Sequence, residues 1–247
     1  MAAEFDTVAA WTAEVALDLG PDHHVPAGCR GSGGPAALHW FLDHLAPVPG
    51  STLLDVGAGV GGPAGFAAQE AGVRPVLTEP QAGACRAARR LFGVPVVQAG
   101  SALPVRSASV GAGWCLGVLC TVADQPFFVR ELRRVLADDG RLGLLVYVAR
   151  EEHVEEAPEG NHFPTADGLA RLLDEAGLAV QDSAHLADFA GTPTLWQERA
   201  DAVDAELERR HGDDARWRTA EEQSGRIGRL IARGDVEGSM LVVRPRP

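Results

Sequence analysis

Long apolar runs are missing from this 247-residue chain. None approaches the ~18 residues that a membrane-spanning helix needs, so no membrane partner is expected. Lys and Arg are absent from the opening stretch MAAEFDTVAAWTAEVALDLG. A secretory signal would need a basic start and then an uninterrupted apolar stretch, so the expected location is cytoplasmic. Cysteine is scarce: Cys29, Cys85, Cys115 and Cys120 form no CxxC pair, and no nearby histidine completes a zinc set. They read as reduced, buried thiols. Positive charge is in deficit, with 22 Lys+Arg against 34 Asp+Glu and a formal net charge of -12. Such a field repels a phosphate backbone unless a basic patch overrides it. The densest basic stretches, Arg86/Arg89/Arg90 and Arg130/Arg133/Arg134, fall at helical spacing beside apolar residues, as solvated helix faces do. No nucleic-acid partner is expected.

What is present is ordinary globular material, 46% hydrophobic and 23% charged, enough for one domain with one large core. Residues 4–19 read as an amphipathic helix and 20–35 as a Gly/Pro-rich loop. A helix over 36–45 ends before Pro47, completing an N-terminal cap of residues 1–46. In the core, 47–183, strands are predicted at 52–56, 75–78, 94–98, 110–115, 141–148 and 178–183, and helices at 62–71, 81–91, 124–137 and 166–176. This alternation predicts an α/β fold, a mainly parallel sheet covered on both faces. Gly72, Gly140 and Gly177 follow helical patterns and read as C-terminal stops. Thr165 reads as an N-cap. Residues 184–237 interrupt the alternation with two predicted helices, near 193–210 and 214–233, before a last strand within 238–247. We read this insertion as a lid over a substrate pocket, shaped in part by Trp196. A static helical pair is the plain alternative.

The strongest signal is Leu53-Leu54-Asp55-Val56-Gly57-Ala58-Gly59-Val60-Gly61-Gly62-Pro63-Ala64. An apolar strand enters a glycine turn and then a helix. Gly57, Gly59 and Gly62 also satisfy the dinucleotide pattern GxGxxG, which keeps a nicotinamide oxidoreductase open. Asp55 argues against it. A carboxylate at this strand end would repel the pyrophosphate that such turns cradle. It would attract the sulfonium and ammonium of S-adenosyl-L-methionine (SAM), while the glycines let backbone approach the ligand. Glu79 ends the next predicted strand, where a carboxylate can accept both ribose hydroxyls.

This segment resembles motif I of the class I SAM-dependent methyltransferases, particularly the small-molecule, type 11-like branch. Val97–Pro104 (VQAGSALP) is similar to the family's adenine-contact segment, and Ser109–Leu119 to its fourth strand and following loop. Phe127–Val135 with Asp139–Leu142 is similar to the helix and turn into its fifth strand. The resemblance implies a Rossmann-like seven-stranded sheet with the last strand antiparallel and SAM as cofactor. It implies that Asp55, Gly57, Gly59 and Gly61 line the methionine and ribose end, and that Glu79 binds the ribose. It places Pro80 near the adenine, Ser101, Ala102 and Leu103 at the adenine edge, and Cys115 and Leu116 beside the methionine part. The chain departs from the pattern at Ser101, where relatives carry Asp, at Gly111, where an acid is common, and near Thr121, where many carry His.

Methyl transfer from a sulfonium is a direct displacement whose leaving group is already good, so alignment and desolvation matter most. A base is needed only for a protonated nucleophile. Candidate bases are His162, on the predicted loop after the fifth strand, and His24, with His23, in the N-terminal loop; each otherwise reads as a turn histidine. Tyr147, the only tyrosine, reads as core. Arg30 is a candidate partner for a ligand carboxylate, or a surface arginine. Glu151, Glu152, Glu155 and Glu156 around His153 read as a solvated acidic turn, and no metal is expected. The expected function is methyl transfer to a small organic molecule. The alternative is a SAM-binding protein that does not methylate, a cyclase-like enzyme or a regulatory module.

Overall fold

The computed structural model describes residues 2–29, 31–189 and 191–246. Its strands are β1 (Thr52–Val56), β2 (Arg74–Glu79), β3 (Val96–Gln98), β4 (Val110–Leu116), β5 (Leu136–Ala149), β6 (Leu178–His185) and β7 (Val236–Pro245). They form one sheet in the order β3-β2-β1-β4-β5-β7-β6. β7 inserts antiparallel between β5 and β6, and β1 to β5 run parallel. This is the Rossmann-like methyltransferase fold that the sequence implied. Apolar side chains from both faces explain why β1 and β4 read as near-continuous hydrophobic runs. Leu54, Val56 and Cys115 face one core cluster, and Leu53, Trp114 and Leu116 face the other.

Helices α1 (Ala2–Leu19), α2 (His24–Gly28) and α3 (Pro35–Leu45) precede the sheet. The core helices are α4 (Gly62–Ala71), α5 (Ala82–Phe92), α6 (Gln125–Val135) and α7 (Ala166–Glu175). The expected loop at 20–35 is partly structured, because buried Val25, Pro26 and Ala27 give α2 an apolar anchor that glycine and proline content concealed. Gly72 ends α4 in the left-handed conformation, and the Thr165 side chain accepts from Gly168 N–H, both as expected. Gly140 is a correction. α6 stops at Val135, and residues 136–140 already belong to β5. A Cβ on Gly140 would lie 2.5 Å from Val110 O, so glycine here permits close strand approach rather than ending a helix.

The insertion forms α8 (Thr194–His211) and α9 (Ala215–Arg233), and it packs on the N-terminal helices. Val203, Leu207 and Trp217 share a cluster with Ala13, Val15 and Ala16 of α1. Trp11 stacks on His211 at 3.9 Å, and Arg199 and Arg210 reach Asp22 and Asp18, each at 2.7 Å. Trp196 lies edge-on to Phe66 of α4, 6.0 Å between centroids, and so anchors α8 to the core helices. Among the described residues no helix is long and apolar enough to cross a membrane.

Candidate functional site

β1 and β4 meet where the strand order reverses, so the loops leaving their carboxyl ends diverge and open a crevice. The loop after β1 is held by Gly57 and Ala58, whose N–H groups both donate to Thr78 O. Gly57, Gly59 and Gly61 have φ of 72°, 55° and 88°, a left-handed run that side chains other than glycine resist. Space also matters at Gly57, where a Cβ would lie 2.4 Å from a methyl of Val118.

Asp55 sits one residue before the end of β1, in register with Leu77 of β2 and Trp114 of β4. It is 2% exposed. Its Oδ2 has no hydrogen-bond partner among the described residues. Burial pushes its carboxyl up to about 7, with the Trp114 indole opposing and the Glu79 charge adding. Glu79 ends β2 and is 4% exposed. Its Oε2 accepts from Gly59 N–H and its Oε1 from Gln81 N–H, both at 2.9 Å. Burial raises this carboxyl as well, and the two backbone donors hold the rise in check. Two buried acids thus face one glycine loop, an arrangement suited to a cation or to hydroxyl donors and hostile to phosphate.

The other sequence-predicted residues follow the same edge. Pro80 is exposed, and its carbonyl accepts from Gln98 Nε2 at 3.0 Å. Ser101 is half-buried, Ala102 exposed and Leu103 buried. The Cys115 side chain is buried in the core cluster, so at most its backbone lies toward the loop; burial keeps its thiol far above the usual range. Leu116, also buried, ends β4 beside Gly117. His162 is exposed beside the turn after β4, with its N–H donating to Cys120 O and its carbonyl accepting from Gln125 Nε2, each at 2.6 Å. The His24 ring stands edge-on to Phe92, and its buried Nε2 lacks a partner. Neither ring hydrogen-bonds Asp55 or Glu79 among the described residues. Tyr147 is core, as expected, with its hydroxyl donating to Gly31 O at 3.4 Å. Arg30 lies outside the described residues, and among them no cluster of His, Cys, Asp and Glu is arranged to hold a metal.

The sequence led us to expect the N-terminal segment 20–35 over this edge, but not the contacts that seat it. Gly28 of α2 presses on Gly62, where a Cβ would lie 2.1 Å from the Gly28 carbonyl carbon. Three residues on, Gly31 O would lie 2.7 Å from a Cβ on Gly117. Gly28 and Gly31 therefore act as a strap, resting on the start of α4 and on the turn after β4. Two surface grooves of about 290 and 400 Å³ lie elsewhere, one beside His44 and Arg244 and one beside Phe163 and Arg171.

Glu131 and Arg134 were also missed as site supports. Glu131 Oε2 accepts from Leu103 N–H at 2.9 Å. Arg134, expected on a solvated face, instead donates to Leu103 O and Val105 O, each at 2.8 Å, and to Glu131. Their i, i+3 spacing was visible; the carbonyls they hold were not. Arg134→Ala is expected to lower stability by about 2 kcal/mol, the usual scale for charged hydrogen bonds. It should also speed amide exchange in 103–108. Unchanged exchange there would show that the segment holds itself.

Residues 54–144 match a family model described as a methyltransferase domain. No curated protein matches. Among solved structures, the fold is similar to that of the (4+2)-cyclase SpnF, at 21% identity over 85% of this chain and 80% of that one, TM-score 0.66. It is similar to the cyclopropane synthase MmaA2 from Mycobacterium tuberculosis, at 17% identity over 84% and 82%, TM-score 0.68. It is also similar to a geranyl diphosphate methyltransferase in complex with SAM, at 18% identity over 85% and 84%, TM-score 0.64.

Proposed function

We propose that this chain, which has the class I SAM-dependent methyltransferase fold and matches the methyltransferase-domain family over residues 54–144, binds SAM and transfers its methyl group to a small organic molecule. The observation that carries the reading is Asp55, a buried carboxyl group beside Glu79 at the glycine loop, one of whose oxygens has no hydrogen-bond partner among the described residues. Asp55 meets the cationic methionine end. Gly57, Gly59 and Gly61 let backbone lie against the ligand, and Glu79, whose oxygens each accept one backbone N–H, has lone pairs left to accept from the ribose hydroxyls. Pro80, Ser101, Ala102 and Leu103 border the adenine, and the ends of β4 at Cys115 and Leu116 offer backbone beside the methionine part.

SAM supplies an activated methyl and a good leaving group. The chain's own task is to align the acceptor and exclude water. The strap over Gly62 and Gly117 supports this, as does the cap that α8 and α9 build with α1. His162 and His24 remain the candidates for moving a proton when the acceptor needs it. A second reading, a SAM-binding enzyme that rearranges its substrate without methylating it, is favoured by the similarity to a cyclase and by the absence, among the described residues, of a base bonded to the buried acids. Product mass over a panel of acceptors separates the two.

Calorimetry is expected to show SAM and S-adenosylhomocysteine each binding at one site per chain. Glu79→Ala should weaken both by about 1–3 kcal/mol. Tight nicotinamide-dinucleotide binding with neither SAM nor S-adenosylhomocysteine bound would overturn the reading. An unchanged dissociation constant in the folded variant would reduce Glu79 to a loop anchor.

A further inference from the structure

The first turn of α1 carries a large apolar ring in the wrong place for stability. Phe5 is 48% exposed, although α1 is otherwise buried along Ala9, Ala13 and Ala16. A Cβ on Gly59 would lie 4.0 Å from Phe5 Cζ, so the ring stands at the glycine loop. Gly59 is the residue whose N–H is held by Glu79. The next residue fixes this placement, because Asp6 Oδ1 accepts from Gly83 N–H at 2.6 Å, at the start of α5. A Cβ on Gly83 would lie 2.3 Å from Asp6 O, so helix meets helix backbone to backbone. A carboxylate at a helix N-terminus is favourable, and it pins the turn that presents Phe5. The fold thus holds a half-exposed aromatic ring beside the loop that Glu79 anchors, a face that a flat, apolar group can cover.

Resting on the reading that this site takes SAM, we propose that Phe5 is a specificity residue for the purine of the cofactor: its ring covers the adenosyl half from above the loop. Asp6 acts as its positioning residue by clasping α1 to α5. The chain thereby recovers, by stacking, adenine recognition that the half-buried Ser101 supplies without charge. Stacking on an aromatic ring tolerates any purine, and removing such a ring weakens base binding by roughly tenfold.

The test uses the full chain and two ligands, S-adenosylhomocysteine and S-ribosylhomocysteine, which lacks the adenine. Phe5→Ala is expected to weaken the first about tenfold and to leave the second unchanged. Phe5→Trp should restore the affinity, and its added fluorescence should quench on binding S-adenosylhomocysteine. The melting temperature without ligand should stay near that of the unaltered protein, since the ring is half in water. Equal weakening of both ligands, or no weakening of either, overturns the adenine role. If the unaltered protein binds no S-adenosylhomocysteine, the SAM reading itself falls, and this inference with it.

Discussion

Raising the pH from 4 to 8 is expected to remove up to about 4 kcal/mol of stability from the cofactor-free protein through Asp55 alone. Unfolded, Asp55 ionises near the ordinary value of 3.8; folded, it keeps its proton to about 7. Between those values the folded state holds the extra proton, so stability falls as pH rises, by about 1.4 kcal/mol for each pH unit. The contribution is full below 4 and gone above 7. Glu79 is raised as well and acts in the same direction. Cofactor binding should run the other way. A ligand carrying ammonium and sulfonium groups favours the carboxylate, so SAM affinity should climb toward pH 7 and level off above it, by as much as tenfold per unit below that point. Asp55→Asn cannot ionise and should flatten the Asp55 part of both profiles. Denaturant melts and calorimetry at pH 5, 6, 7 and 8 measure both slopes. A variant whose SAM affinity keeps the same pH dependence would remove Asp55 as the titrating group.

The second large effect is expected at Gly62, which also fits the dinucleotide pattern but is placed by packing. Gly62→Ala should lower the stability by about 3 kcal/mol, because overpacking against rigid neighbours is destabilising on this scale. For a chain of this size that is a drop of roughly 6–12 °C in melting temperature. The added methyl would meet the Gly28 carbonyl carbon at 2.1 Å and Cys29 N at 2.6 Å, all main chain, so no side chain can swing aside. The strap must lift or α4 must shift, and either moves the wall of the crevice proposed for the cofactor. Binding of S-adenosylhomocysteine should weaken together with the melting temperature. Gly111→Ala is the control, since no atom lies within 4 Å of its added Cβ and the site is exposed. If Gly62→Ala melts and binds like the control, the strap is not seated on α4 as described.

Local chemistry was enough to read the sheet and its glycine loop from the chain. Strand-loop-helix punctuation, three glycines that must adopt positive φ, and two acids at consecutive strand ends are short-range signals, written within thirty residues of each other. The boundaries of β1, α4 and α9 followed from the same periodicity. Interactions over long sequence separation carried no such mark. Nothing in Asp6 announces Gly83, 77 positions away, and nothing in Gly28 announces Gly62. Gly140 looked like a helix stop because glycine serves both a turn and a close strand approach, and only the approach of Val110 O decides which. Arg134 looked solvated because its spacing is that of a surface helix face; the carbonyls it binds arrive from a loop 29 and 31 residues earlier. The sequence by itself thus determined the fold class and where the two acids stand along the sheet edge. Tertiary structure decided how deeply those acids are buried, which contacts seat the N-terminal segment and which ring stands beside the loop, because burial and close approach are properties of segments brought together only when the chain has folded.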